Sequence, residues 1–144
     1  MEVRISSELL DRIVIETIES PHREVCGLLL GEGDHIDAVQ SCRNVAADPA
    51  TRFEIDPAQL LAAHRAARAG GPAIVGHYHS HPTGVAAPSR QDARDAAPDG
   101  SLWLIAAGST VTAWRAGVDG EVHHRFTPVV LRVATRGGIR AHGN

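Results

Sequence analysis

Pro72-Ala73-Ile74-Val75-Gly76-His77-Tyr78-His79-Ser80-His81-Pro82, followed six residues later by Ser89-Arg90-Gln91-Asp92, is the stretch on which the reading of this chain turns. Its first half is short, apolar and β-branched, and it follows the turn signal Gly70-Gly71, so it predicts a buried strand. Residues two apart on a strand share a face. His79 and His81 therefore project together as far as Pro82, whose ring ends ladder pairing and turns the chain out of the sheet. Ser89 can start a helix, which sets Asp92 in the first turn. Two imidazoles and a carboxylate are donor types of a catalytic zinc site, in which three protein ligands leave a fourth position open.

Each piece alone has a plainer meaning. Ser89-x-x-Asp92 is also a capping box, with the serine hydroxyl on an early helix amide and the acid reaching back. A His-x-His on a strand is often two polar residues at a sheet end. His77, His79 and His81 form a rival ligand set, although two-residue steps of about 6–7 Å strain one tetrahedral ion between the first and the last.

Taken together, His79-Ser80-His81-Pro82 and Ser89-Arg90-Gln91-Asp92 resemble the zinc signature of the JAMM (MPN+) metalloproteases. A second match lies in Glu24-Val25-Cys26-Gly27-Leu28-Leu29-Leu30-Gly31, and Arg52-Phe53-Glu54-Ile55-Asp56-Pro57 is similar to a segment of the small bacterial members. The likeness covers roughly positions 1 to 130 and its two-part motif is specific. His77 departs from it, because many relatives carry a large aromatic such as tryptophan there. The resemblance implies an α/β MPN (JAMM) domain, a mixed curved β-sheet flanked by helices and related in layout to the cytidine deaminase fold. No H-x-E with a later P-C-x-x-C is present, which disfavours a nucleobase deaminase.

A length of 144 residues fits one domain, expected over 1–133, with a flexible tail over 134–144. No apolar stretch of about 18 residues and no charged leader with an apolar core is visible, so a cytoplasmic protein without a membrane partner is expected. Fourteen basic residues, all arginine, face seventeen acidic ones without a basic block that would mark a nucleic-acid binder. Cys26 and Cys42 are too few for a disulfide scaffold and read as reduced, buried thiols that a hairpin would bring close. Composition leaves the oligomeric state open.

Along the chain, Val3–Ile5 predicts a strand and Ser6 caps a helix in which Leu9, Leu10, Ile13, Val14 and Ile18 recur at helical steps. Strands follow at 25–31 and 36–42. Phe53 and Ile55 alternate as in a strand, and Asp56-Pro57 starts a helix that Gly70-Gly71 closes. After the metal segment a helix is expected from Ser89 to about Ala97, then strands at 102–107 and 111–115, a turn at Gly117–Gly120, and a strand at 126–133. His123 and His124, as neighbours on a strand, would face opposite ways and stay outside the site. Arg136-Gly137-Gly138 looks like the end of a ubiquitin-like protein, for which a glycine-rich tail is the stronger reading.

The resemblance supplies the chemistry. It implies Zn2+ held by His79, His81 and Asp92, with Glu24 as the base that takes the proton of the attacking water and Ser89 as hydrogen-bond donor to the oxyanion. The implied substrate is a ubiquitin-like or sulfur-carrier protein cut after its C-terminal Gly-Gly. The short spacing from His81 to Ser89 is similar to that of small prokaryotic, Mec-like members (the CysO-cysteine peptidase type), which release cysteine or another amine. A silent MPN scaffold and a hydrolase of a different amide are the rivals.

Overall fold

The computed structural model describes residues 1–135 and, for their backbone, 138–142. Its elements are β1 (Glu2–Ser6), α1 (Ser7–Glu19), β2 (Cys26–Glu32), β3 (His35–Cys42), α2 (Pro57–Arg68), β4 (Ala73–Ser80), α3 (Arg90–Asp95), β5 (Leu102–Ala107), β6 (Thr110–Gly120), β7 (His124–Thr135) and β8 (Gly138–His142). The strands form one mixed sheet in the order β1-β3-β2-β4-β5-β6-β7-β8. β1 pairs in parallel with β7 along its length and touches β3 at Arg4↔His35, so the sheet curls back on itself. This is the mixed, curved sheet flanked by helices that the signature implied. Among the described residues no helix is long and apolar enough to cross a membrane.

The two long helices cover opposite faces, and β2 shows why. Leu29 packs with Leu10 and Ile13 of α1, Tyr78, Leu104 and Val111, whereas its neighbour Leu28 packs with Cys26, Cys42 and Ala63 of α2. Alternation along the strand splits its side chains between two cores. α1 is capped as the sequence indicates, with the Ser6 hydroxyl accepting the Leu9 amide at 3.2 Å. α2 begins on Asp56, with Pro57 at its first position.

A register shift between Leu29 and Leu30 marks a bulge in the β2–β4 pairing. Beyond it Tyr78 faces the α1 core, and His77 and His79 point to the other side, where Phe53 and Trp103 lie against them. β4 runs parallel to β5 with His79 opposite Ile105, and the His81 amide donates to the Ala106 carbonyl at 2.8 Å. The histidines thus reach the carboxyl end of a central strand held on both sides.

Four expectations are corrected. Phe53 and Ile55 form no strand, only an isolated bridge between Asn44 and Ile55, because the Asn44 side chain ties down this segment in place of a ladder. α3 stops at Asp95, two residues early. The turn placed at Gly117–Gly120 is still β6. A side chain at Gly120 would meet the Phe126 amide nitrogen at 2.4 Å, so glycine there permits close pairing, not a turn. Finally, the tail expected from Ala134 is replaced by the end of β7 and by β8, paired antiparallel from Leu131↔His142 to Thr135↔Gly138. Arg136 and Gly137, part of the Gly-Gly look-alike, lie outside the described residues.

Candidate metal centre

The register of β2 on β4 brings Glu24 to the histidines. Cys26 pairs with His79, the Val25 amide donates to the Ser80 hydroxyl at 2.8 Å, and the Ser80 amide donates to the Val25 carbonyl at 3.0 Å. One step further, Glu24 comes opposite His81. Its backbone is fixed by two more bonds, its amide to the Pro49 carbonyl at 2.7 Å and its carbonyl from Asn44 Nδ2 at 2.9 Å.

From the other side comes α3. Ser89 Oγ accepts the Asp92 amide at 3.0 Å and Asp92 Oδ2 accepts the Ser89 amide at 2.9 Å, a complete capping box. The same carboxylate sets Oδ1 at 3.2 Å from His79 Nε2 and Oδ2 at 3.1 Å from His81 Nε2. The capping box that Ser89-x-x-Asp92 forms is also what aims the acid at the two imidazoles. Accepting the amide also leaves the Ser89 hydroxyl proton free to donate.

All four groups are buried: Glu24 is 5% exposed, His79 0%, His81 7% and Asp92 4%. Glu24, His79 and His81 present donor atoms within 4.8 Å of one another. Burial lifts Glu24 from 4.5 to about 7, and its Oε1 has no hydrogen-bond partner among the described residues. Burial also holds His79 below the usual imidazole range; at His81 it acts the same way but is outweighed by the bond and charge of Asp92, so that ring is raised. Asp92, despite its burial, is held well below the carboxylate range by the two imidazoles and the Ser89 amide.

Whether these groups suit a metal can be tested on their spacing. Ligand atoms roughly 2.0–2.1 Å from a tetrahedral ion stand about 3.3 Å apart. The His79 and His81 Nε2 atoms are 3.1 Å apart, and each faces an Asp92 oxygen at 3.2 and 3.1 Å. His81 Nδ1 lies 2.8 Å from the Val85 carbonyl, which fixes the tautomer that keeps Nε2 as an acceptor. His79 has no such partner; its Nδ1 is buried without a hydrogen bond, and the ring is held by Phe53, stacked at 4.3 Å and 18°. The residues fit a divalent ion.

His77 does not join them. Its ring packs edge-on to Trp103 at 4.2 Å and tilted to Phe53 at 5.3 Å, and burial together with His79 pushes it down to about 3. The three-histidine rival set therefore has no centre. Cys26 and Cys42 lie opposite each other, free and buried; burial pushes the Cys26 thiol up to about 12 and raises Cys42 as well, so neither is poised as a nucleophile. Sequence reasoning missed Asn44, Ser80 and the stacking role of Phe53, all of which act across long chain separations that no local spacing records.

The profile of prokaryotic homologs of the JAB domain matches residues 6–117. The chain belongs to that family. A desampylase of Haloferax volcanii is 38% identical to this JAB domain over 87 residues, 59% of this chain and 63% of that protein. A probable TtuB-protein conjugate cleaving protease of Thermus thermophilus is 33% identical over 88 residues, 61% and 59% of the two chains. The chain thus spans under two thirds of the length of these curated relatives. A solution structure of a protein from Desulfitobacterium hafniense, 23% identical, superposes with a TM-score of 0.74 over 94% of this chain and 96% of that one, and supports the fold.

Proposed function

We propose that this JAB domain is a metal-dependent peptidase that hydrolyses the amide bond after the C-terminal Gly-Gly of a ubiquitin-like or sulfur-carrier protein, releasing a conjugated protein, a peptide or cysteine. The observation that carries it is the buried Glu24 carboxylate with an unpartnered oxygen, set beside two imidazoles whose Nε2 atoms converge on Asp92. Relatives named as a desampylase and a TtuB-conjugate cleaving protease support the substrate class and favour a protein conjugate over free cysteine as leaving group. The finer likeness to the cysteine-releasing, Mec-like type remains part of the same proposal.

His79, His81 and Asp92 would hold the ion, with Zn2+ favoured by a two-nitrogen, one-carboxylate donor set. Bound there, it would supply Lewis-acid chemistry, lowering the pKa of water to about 7 and polarising the scissile carbonyl. Glu24, whose donor atom lies within 4.8 Å of those of His79 and His81, would act on the water and not as a ligand. Asp92 already faces both rings, while Glu24 keeps a free oxygen and a proton affinity near neutrality, so it can take a proton from water and return it to the leaving amine. The Ser89 hydroxyl, oriented by the Asp92 amide, would donate to the oxyanion of the tetrahedral intermediate. A cytoplasmic setting belongs to this reading and is consistent with the two free thiols.

The test is mass-spectrometric cleavage of a Gly-Gly-terminated carrier protein extended by cysteine, by a short peptide or by a lysine-linked protein. Cleavage after Gly-Gly that needs both metal and Glu24 supports the reading. Metal bound at one ion per chain without any cleavage would overturn it in favour of a different amide or a silent scaffold.

A further inference from the structure

Next to α3, on the flank away from His79 and His81, a cavity of about 520 Å³ is lined by Arg90, Ala93, Arg94, His123 and His124. No acid lines it. Both acids of α3 are committed elsewhere: Asp92 to the imidazoles and the Ser89 amide, Asp95 to Arg52 and Gln91. Neither Arg90 nor Arg94 enters an ion pair among the described residues; Arg94 donates only to Gln91 Oε1 at 3.1 Å. Both are exposed, as are both histidines.

Local energetics disfavour this arrangement three times over. Arg90 and Arg94 are like charges one helical turn apart, which repel. Arg90 also opens the helix, where the macrodipole favours a negative charge. His123 and His124 both adopt left-handed backbone, with φ of 52° and 56°, a conformation that costs free energy at any residue but glycine. That backbone is also why two sequence neighbours line one cavity and do not face opposite ways as in a flat strand. His123 Nε2 is anchored 3.1 Å from the Pro88 carbonyl, which ties this corner to the residue before Ser89. Only Arg94 is offset locally, by its place in the last turn of α3 and its bond to Gln91; left-handed backbone and two guanidiniums without an acid that coincide at one corner mark a place built for something outside the chain.

We propose that the cleft of Arg90, Arg94, His123 and His124 is a docking site for a carboxylate-rich surface on the protein substrate. Two guanidiniums present paired donors matched to carboxylates, and the imidazoles add further donors on the opposite wall. The cleft is one helical turn long in a chain of net charge −3, which suits a short acidic patch and lacks the extended basic stripe of a nucleic-acid binder. The His123–Pro88 contact ties the cleft to the residue before Ser89, and Arg90 and Arg94 share the helix that carries Asp92, so a partner docked there would be held on the element that also serves the metal centre. This deepens the proposed function and rests on it for the identity of the partner.

The test separates the two. In the Glu24→Gln protein loaded with zinc, imidazole signals of His123 and His124 are followed by NMR during titration with a hexaglutamate peptide, then with inorganic phosphate, then with a single-stranded oligonucleotide. Binding of a Gly-Gly conjugate with an acidic face is measured in parallel. We expect hexaglutamate to shift both histidines, and Arg90→Glu with Arg94→Glu to weaken peptide and conjugate about tenfold, with a salt dependence that the native cleft shows and the double variant loses. Arg65→Glu with Arg68→Glu, both exposed in the last turn of α2, makes the same change in net charge and serves as the control. No shift with hexaglutamate overturns the docking site, as does tighter binding of the oligonucleotide or a response to phosphate alone. Failure of every conjugate to be cleaved by the native protein would instead strike the proposed function, and the peptide titration would still decide the cleft.

Discussion

His79 and His81 on one side of α3, and His123 and His124 on the other, are two histidine pairs in one small protein with opposite fates. The first pair is spaced by two across the end of β4, whose neighbours hold it, is buried, and converges on one carboxylate. The second is adjacent in sequence, exposed and left-handed, and looks onto arginines with no acid to balance them. Residue type therefore says little by itself. Spacing against the backbone period, burial, and the charge placed opposite decide whether an imidazole is a ligand or a surface donor.

The largest expected effect tests the buried pair. Replacing His79, His81 or Asp92 by alanine removes one of three donors, and the ion count measured by mass spectrometry of dialysed protein should fall from one per chain to near zero. Retention of the ion in all three variants would dissolve the proposed centre. Next comes Glu24→Gln, which should keep the ion and reduce turnover by about 10²–10⁴-fold, the usual scale of a general base. An active, ion-loaded Glu24→Gln protein would remove glutamate from the mechanism.

Proton linkage sharpens the contrast between buried and exposed groups. Burial raises Glu24 from 4.5 to about 7 in the metal-free fold, so the folded state keeps a proton that the unfolded chain releases first. That stabilisation is whole below pH 4.5 and is lost as pH rises through about 7. Relative to Glu24→Gln, the metal-free native protein should lose about 3 kcal/mol across this window, read from urea midpoints in the presence of a chelator. A pH-independent difference would mean that Glu24 is not held in its protonated form. The smallest effect belongs to the exposed pair: His124→Gly relieves a left-handed backbone and should raise stability by a few tenths to about 1 kcal/mol. A loss of stability there would show that the strain argued for the cleft is absent.

Much of the site was legible because each feature rested on a short-range rule. The His-x-His period placed both rings on one face, Pro82 ended the strand, and Ser89 capped a helix that aims Asp92. Phe53 was misread because alternation with Ile55 is the same signal whether a residue enters a ladder or lays its ring on a histidine. His123-His124 was misread because a left-handed corner leaves no trace in residues that strands also tolerate. The β7–β8 pairing was missed because arginine and glycine near a chain end lack the apolar alternation that announces a strand.

The sequence by itself determined the secondary elements that bear the site, the donor types, and, through resemblance, the family later shown by the JAB match to residues 6–117. Those are local or patterned properties, set by backbone periods and by chemistry carried within a few residues. Only the tertiary structure decided that Glu24 lies beside His81, that Asn44 and Ser80 fix it there, that Phe53 substitutes for a missing hydrogen bond on His79, and that four basic side chains share a cleft. Each of these joins residues far apart in the chain through strand register, burial and packing, and such contacts exist only once the sheet has closed around them.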